Sequence, residues 1–279
     1  MSIIFNEHHS QGLSINWKAK EVLFQKQSDF QEVVILDLEE MGRALVLDGY
    51  IQVTVKDEFV YNEMITHVPL FTHPGLEKKV LIIGGGDGGA AREAAKHPSV
   101  HQVDMCELDP MVLEACKEFL PETSVSYDNP KVNIFTRDGI EFIKNNPDTY
   151  DVIIIDSPDP VGPAVELYSK AFYSNVHDAL KDDGILVCQN ESLFFHMDLI
   201  KNVQTSLKNL FPITRMYTAT TPTYPGFLWG YSMASKKYDP LTKNDLEKQA
   251  FATKYYNHDI YRGCFALPTF LKNELGIRD

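Results

Sequence analysis

Val80-Leu81-Ile82-Ile83-Gly84-Gly85-Gly86-Asp87-Gly88-Gly89-Ala90-Ala91-Arg92-Glu93-Ala94-Ala95 runs from an unbroken apolar stretch through a glycine turn into a series of helix formers. Consecutive apolar residues leave no polar face, so the strand they form is covered on both sides, as in a parallel sheet packed between helices. Gly84, Gly86 and Gly89 satisfy G-x-G-x-x-G, whose glycines permit a tight turn and close approach of the backbone to a nucleotide. Working outward, the same grammar recurs: Gln102 to Cys106 leads into Glu107, Val132 to Phe135 into Asp138, and Val152 to Ile155 into Asp156. Ile185 to Cys188 and Tyr231 to Ala234 are expected to complete the sheet. The pattern predicts an α/β fold with a Rossmann-type, mostly parallel sheet and helices on both faces. Such sheets bind ligands at the carboxyl ends of their strands, where these acids collect.

Upstream the pattern is different. Glu32-Val33-Val34-Ile35-Leu36-Asp37 and Arg43-Ala44-Leu45-Val46-Leu47 are strand-like, and Asp48-Gly49 before Ile51-Gln52-Val53 is a hairpin signal. From Asp57 to Phe71 the apolar residues Phe59, Val60, Met64, Ile65 and Val68 fall near helical spacing, and Pro74-Gly75 ends the segment. Residues 1–75 are therefore expected to form a small β-rich N-terminal domain closed by a helix, and residues 76–279 the α/β domain.

Composition narrows the function. Acids outnumber bases by 39 to 26, a formal charge of −13, which disfavours a surface that tracks nucleic-acid phosphates and favours cationic ligands. Cys106, Cys116, Cys188 and Cys264 form no C-x-x-C pair and have no zinc spacing with any of the nine histidines, so free thiols and no metal site are expected. The opening Met-Ser-Ile-Ile-Phe is too short for a signal peptide, and no stretch approaches the ~20 apolar residues of a membrane span. A cytoplasmic protein without membrane association is expected.

The glycine turn alone suits either a nicotinamide or an S-adenosylmethionine-type ligand. Asp87 discriminates between them, because a carboxylate where a pyrophosphate would meet the helix N-terminus repels it. A nucleoside with a cationic tail would be attracted instead. Glu107 ends the second strand, where a carboxylate can accept both ribose hydroxyls. Asp138-Gly139 ends the third, where an acceptor would meet an adenine amine, and Asp138 also suits an N-cap. Asp156-Ser157-Pro158-Asp159-Pro160-Val161-Gly162-Pro163-Ala164 holds two acids three apart among three prolines, a composition suited to presenting both carboxylates rigidly to one ligand.

These segments, together with Ser28-Asp29-Phe30-Gln31, Leu47-Asp48-Gly49-Tyr50-Ile51-Gln52, Glu58-Phe59-Val60-Tyr61-Asn62-Glu63-Met64, Pro222-Thr223-Tyr224-Pro225 and Tyr255-Tyr256-Asn257, resemble the polyamine aminopropyltransferase family over nearly the whole chain. The resemblance implies a methyltransferase-like α/β domain behind a β-rich N-terminal one. It implies transfer of an aminopropyl group from decarboxylated S-adenosylmethionine, a co-substrate and not a cofactor, to putrescine, giving spermidine and methylthioadenosine. It further implies that Gln31, Asp87, Glu107, Asp138, Gly139 and Pro163 line the donor site, and that Tyr61, Asp159 and Tyr224 line the amine channel with Asp156 as proton acceptor. A homodimer or homotetramer is implied as well.

Two positions depart from the family pattern. Asn62 stands where bacterial relatives have His and animal relatives Gln, and is expected in the donor site. Gly226-Phe227 stands where relatives place Ser-Gly, so Phe227 is expected to add bulk beside the acceptor channel. Trp229 belongs to the channel wall or the core. Gln52 and Gln189 either contact the amine or hydrogen-bond at strand ends. Agmatine or another amine is the alternative acceptor; a methyltransferase using intact S-adenosylmethionine and a silent polyamine-binding protein are the alternative functions.

Overall fold

The computed structural model describes residues 3–157, 162–243 and 245–277, without the side chains of 162–164. The first five strands, β1 (Ile3–Ser10), β2 (Leu13–Gln27), β3 (Glu32–Leu38), β4 (Gly42–Leu47) and β5 (Tyr50–Thr54), form an antiparallel meander in chain order. Asp48 and Gly49 join β4 to β5 with φ of 46° and 85°, the left-handed pair that a two-residue hairpin requires.

Then follow α1 (Glu58–Thr72), β6 (Lys78–Gly84), α2 (Gly89–Lys96), β7 (Val100–Glu107), α3 (Pro110–Phe119), α4 (Pro121–Ser124), β8 (Val132–Thr136), α5 (Gly139–Lys144) and β9 (Tyr150–Asp156). The chain continues through α6 (Lys170–Ala179), β10 (Leu180–Ser192), α7 (Met197–Lys208), β11 (Ile213–Thr220), β12 (Leu228–Ser235), α8 (His258–Gly263) and α9 (Thr269–Leu275). The second sheet has the order β11-β12-β10-β9-β6-β7-β8, with β12 antiparallel to both of its neighbours and the remaining pairs parallel. The α/β architecture expected from the glycine turn is thus present, and a crevice opens where the chain, having built β7 and β8 on one side of β6, returns to build β9 on the other.

Alternate residues of the buried strands face two cores. Val80, Ile82, Val152 and Ile154 meet α1 and α2, while Leu81, Ile83, Ile153 and Ile155 meet α5, α6 and α7. The helix α1 departs from expectation. Instead of closing the N-terminal sheet it packs against α2 and the seven-stranded sheet, and nearly all of its residues are buried, which a helix covered on one face could not achieve. One face of the N-terminal sheet is covered by α3, through Val112, Ala115 and Cys116 against Val33, Ile35 and Leu45. All four cysteines are buried free thiols. Among the described residues no helix is long and apolar enough to cross a membrane.

Candidate active site

The cleft lies between the two sheets at the carboxyl ends of β6, β7 and β9, and encloses about 1050 Å³ of space not filled by protein, its mouth included. Gly84 ends β6 at φ 79°, in register with Asp156 at the end of β9. A Cβ at Gly84 would lie 2.1 Å from the Asp156 carbonyl oxygen, so no side chain fits there. The Gly85 N–H donates to that same oxygen at 2.9 Å. The turn therefore holds Asp87 and Asp156 on one wall. Asp87 caps the turn by accepting from the Gly89 N–H at 3.2 Å.

Glu107 faces the cleft from the end of β7, and its Oε1 accepts from the Asp109 N–H at 2.9 Å. Gln31 lines the same end and donates to Asp109 at 3.1 Å. Asn62, on α1, donates its amide to Glu58 at 2.9 Å, and Glu58 is paired with the Arg92 guanidinium at 3.0 and 2.8 Å. The Asn62 amide lies over the first residue of α2, where a Cβ on Gly89 would fall 2.0 Å from its Nδ2.

At the other end Tyr61 donates its hydroxyl to Asp156 Oδ1 at 2.6 Å. Tyr224 donates to the Gln52 carbonyl at 2.7 Å and packs against Trp229, the ring centres 4.4 Å apart. Trp229 is thus both buried and part of the wall. Gln52 and Gln189 line the cleft while bonded to protein groups: the Gln52 amide donates to the Tyr50 carbonyl, and that of Gln189 to the Ser157 carbonyl and the Tyr168 hydroxyl.

Burial pushes the Asp87 and Asp156 carboxyls above the ordinary carboxylate range, Asp87 further because the Asp156 and Glu58 charges add to its desolvation. The Tyr61 hydroxyl partly offsets the rise at Asp156, and Arg92 partly offsets that at Asp87. Glu107 is lifted by burial to about 7. An opposite charge nearby favours the ionised form of a carboxyl, so a cation held against this wall would lower these pKa values.

The other expected residues are placed differently. Asp138 is exposed and caps α5, accepting from the Ile140 N–H at 2.7 Å, and neither it nor Gly139 lines the cleft. Both follow β8, whose Thr136 is paired with Glu107, so they lie beside the Glu107 end of the cleft. Asp159 lies outside the described residues, as does the Pro163 side chain. Phe227 adds no bulk to the channel. It is 59% exposed and absent from the wall, because φ of 77° at Gly226 and 61° at Phe227 swing the tip of the loop away.

Sequence reasoning passed over Glu7 and His9, which reach the cleft from β1. Glu7 is buried and accepts from the Ile51 N–H and the Trp17 indole, each at 2.8 Å. The available signal was the alternation Phe5, Glu7, His9 on one face of a strand. Asp57, Glu58 and Thr223 were likewise missed, since each is brought to the cleft by tertiary packing.

His73, Asp151 and Asp183 stand close enough to share a metal ion, but at the opposite, amino ends of the strands. The Gly75 N–H donates to His73 Nδ1 at 3.1 Å, so the neutral ring carries its proton on Nε2, facing the carboxylates.

Residues 58–246 match the spermine/spermidine synthase domain family, and residues 3–55 the spermidine synthase tetramerisation domain family. A polyamine aminopropyltransferase of Methanocaldococcus jannaschii is 47% identical over 97% of this chain and 94% of its own. One from Caldicellulosiruptor bescii is 46% identical over 98% of both. The fold superposes with a TM-score of 0.95 on a spermidine synthase solved with the transition-state analogue AdoDATO, at 39% identity over 99% of this chain and 96% of that one. The spermidine synthase of Thermotoga maritima gives 0.94, also at 39% identity, over 99% of this chain and 95% of that one.

Proposed function

The chain belongs to the spermine/spermidine synthase family and is a transferase of the polyamine aminopropyltransferase kind, and on that premise we propose that it moves the aminopropyl group of decarboxylated S-adenosylmethionine to putrescine. The observation that carries the proposal is the wall formed by Asp87 and Asp156 around the Gly84 turn, with Tyr61 bonded to Asp156 at 2.6 Å. Both substrates are cations: the donor bears a sulfonium and an ammonium, and free putrescine is doubly protonated.

In this reading Glu107 and Gln31 hold the ribose, and Asp87 takes the ammonium of the aminopropyl arm. Asp156 removes a proton from one putrescine nitrogen, whose lone pair attacks the carbon beside sulfur. The new C–N bond forms as the C–S bond breaks, and its electron pair leaves on a neutral thioether sulfur. Positioning provides most of the acceleration, since the sulfonium is already a good leaving group. No further cofactor is invoked. The raised pKa of Asp156 brings the base closer to neutrality, where general bases act best. Tyr61, Tyr224 and Trp229 form an aromatic passage for the methylene chain.

The same proposal gives Asp159 a role toward the amine and Pro163 a role toward the donor, as the family resemblance implies, seats the enzyme in the cytoplasm, and assembles it as a homodimer or homotetramer through residues 3–55. Competing putrescine, cadaverine, agmatine and spermidine at equal concentration with the decarboxylated donor, with products identified by mass spectrometry, tests the acceptor. Spermidine as the dominant product supports putrescine. A higher kcat/KM for agmatine replaces that acceptor, and methyl transfer from the intact donor replaces the reaction.

A further inference from the structure

Asp57 stands at the N-cap position of α1, where an Asp ordinarily accepts a hydrogen bond from the first helical turn. It does not do so here. Its buried carboxylate points the other way: Oδ2 accepts from the Thr223 N–H at 2.8 Å, both oxygens lie 2.7 Å from the Thr223 hydroxyl, and Oδ1 accepts from the Thr54 hydroxyl at 2.6 Å. Three separate pieces of chain meet on one carboxylate. Thr54 ends β5, two residues after the Gln52 carbonyl that receives the Tyr224 hydroxyl. Asp57 opens α1, which carries Tyr61 one turn later. Thr223 belongs to the loop between β11 and β12, immediately before Tyr224.

Tyr61 and Tyr224 face each other edge to face, with ring centres 5.6 Å apart, and the gap between them belongs to the cleft. A two-ring passage is only as well defined as the backbones that carry the rings, and a loop held by few contacts would let one ring drift. We propose that Asp57 is a positioning residue that sets the width of the acceptor passage by fixing the Tyr224 loop to the start of α1 and the end of β5. The inference rests on the aminopropyl-transfer reading of the same cleft. Because the clamp lies at the amine end, its loss weakens the acceptor and leaves the nucleoside end, built on the Gly84 turn and Glu107, as it was.

Asp57→Asn keeps the size of the side chain but leaves one neutral acceptor oxygen for the three donors that meet on the carboxylate; Thr223→Val deletes one hydroxyl, and Thr223→Ser keeps it. Putrescine is titrated calorimetrically into each protein saturated with methylthioadenosine, methylthioadenosine is titrated alone, and melting confirms folding. Asp57→Asn is expected to weaken putrescine by about tenfold or more, the scale on which misplacement acts. Thr223→Val falls between it and the parent, Thr223→Ser matches the parent, and methylthioadenosine affinity stays within about twofold throughout, as for independent sites. In turnover the acceptor KM rises more than kcat falls. Putrescine affinity unchanged in Asp57→Asn, or methylthioadenosine affinity lost in parallel, overturns the clamp. If the unsubstituted protein binds putrescine and turns it over while Asp57→Asn equals it, only the clamp falls; if the unsubstituted protein does neither, the proposed acceptor and the clamp fall together.

Discussion

At the end of the cleft proposed for the donor, Gly84 to Asp87, Glu107 and Asp156 arrive on β6, β7 and β9, three neighbouring parallel strands that all end at the same level. At the end proposed for the amine, Glu7 and His9 come from β1, Gln52 from β5, Tyr61 from α1, Tyr224 from the turn between β11 and β12, and Trp229 from the start of β12. Apart from Gln31 and Asn62, the first end is a product of one sheet's topology. The second exists only because two sheets and a helix pack together. In the proposed reading the contrast extends to chemistry: carboxyls at the donor end select by charge, whereas the amine end is mostly aromatic and selects by shape, with Glu7 and Asp57 as buried acids.

The sharpest way to break this division is Asp156→Asn. The amide keeps the shape and loses the basicity, so turnover is expected to drop by roughly 10²–10⁴-fold, the usual loss for a general base, while calorimetry finds donor binding retained. Near-normal turnover with normal donor binding would mean that Asp156 is not the base.

Asp87→Asn comes next. It is expected to weaken the decarboxylated donor by about tenfold, near 1.4 kcal/mol, and to leave putrescine affinity largely unchanged. A stability measurement separates charge from shape in this variant. The Asp87 carboxyl is held above its ordinary pKa by burial, so its contribution to stability is complete below about pH 4 and is lost as pH rises through the raised value. Melting curves without ligand should therefore favour Asp87→Asn increasingly from pH 5 to pH 9. A pH-independent difference would contradict the buried-charge account.

Tyr61→Phe sharpens the comparison where the two ends meet. The hydroxyl that lowers the Asp156 pKa is removed while the ring stays, so the acid limb of the kcat/KM profile should move to higher pH. A several-fold loss near neutrality that recovers at alkaline pH is expected. A uniform loss at every pH would point to the ring's position instead.

How legible each end was in the sequence follows from how it is built. The α/β sheet, the glycine turn and the strand-end acids Glu107 and Asp156 are local signals, because a parallel strand, its turn and its helix are continuous in the chain. Three of the seven strands of that sheet, β6, β9 and β10, could be placed from unbroken apolar runs, β7 and β8 from interrupted runs that lead into an acid, and β12 in part. β11, with Thr214, Arg215 and Thr218 among its apolar residues, gave no such run. At the amine end only residues carried by the family resemblance, Tyr61 and Tyr224 among them, could be named in advance. Glu7 and His9 lie far from Asp57 in sequence, and beyond the alternation that sets Glu7 and His9 on one strand face nothing local marks these residues as part of a pocket. The expected role of Phe227 went astray for the same reason, since only its backbone angles reveal that it points outward.

Phe227→Gly is the smallest test. A non-glycine residue at φ 61° is strained, and glycine relieves that strain at the expense of a freer unfolded chain. The net effect on stability is expected to be no more than ~1 kcal/mol in favour of glycine, with the acceptor KM unchanged. A changed acceptor preference would return Phe227 to the channel.

Charge selection at the donor end is the centre of this account, and one measurement tests it without any substitution: calorimetric titration of the protein with decarboxylated and with intact S-adenosylmethionine under identical conditions. The two ligands differ only in a carboxylate that must approach Asp87. The decarboxylated form is expected to bind at least about tenfold more tightly; equal affinities would contradict the account and restore a methyltransferase.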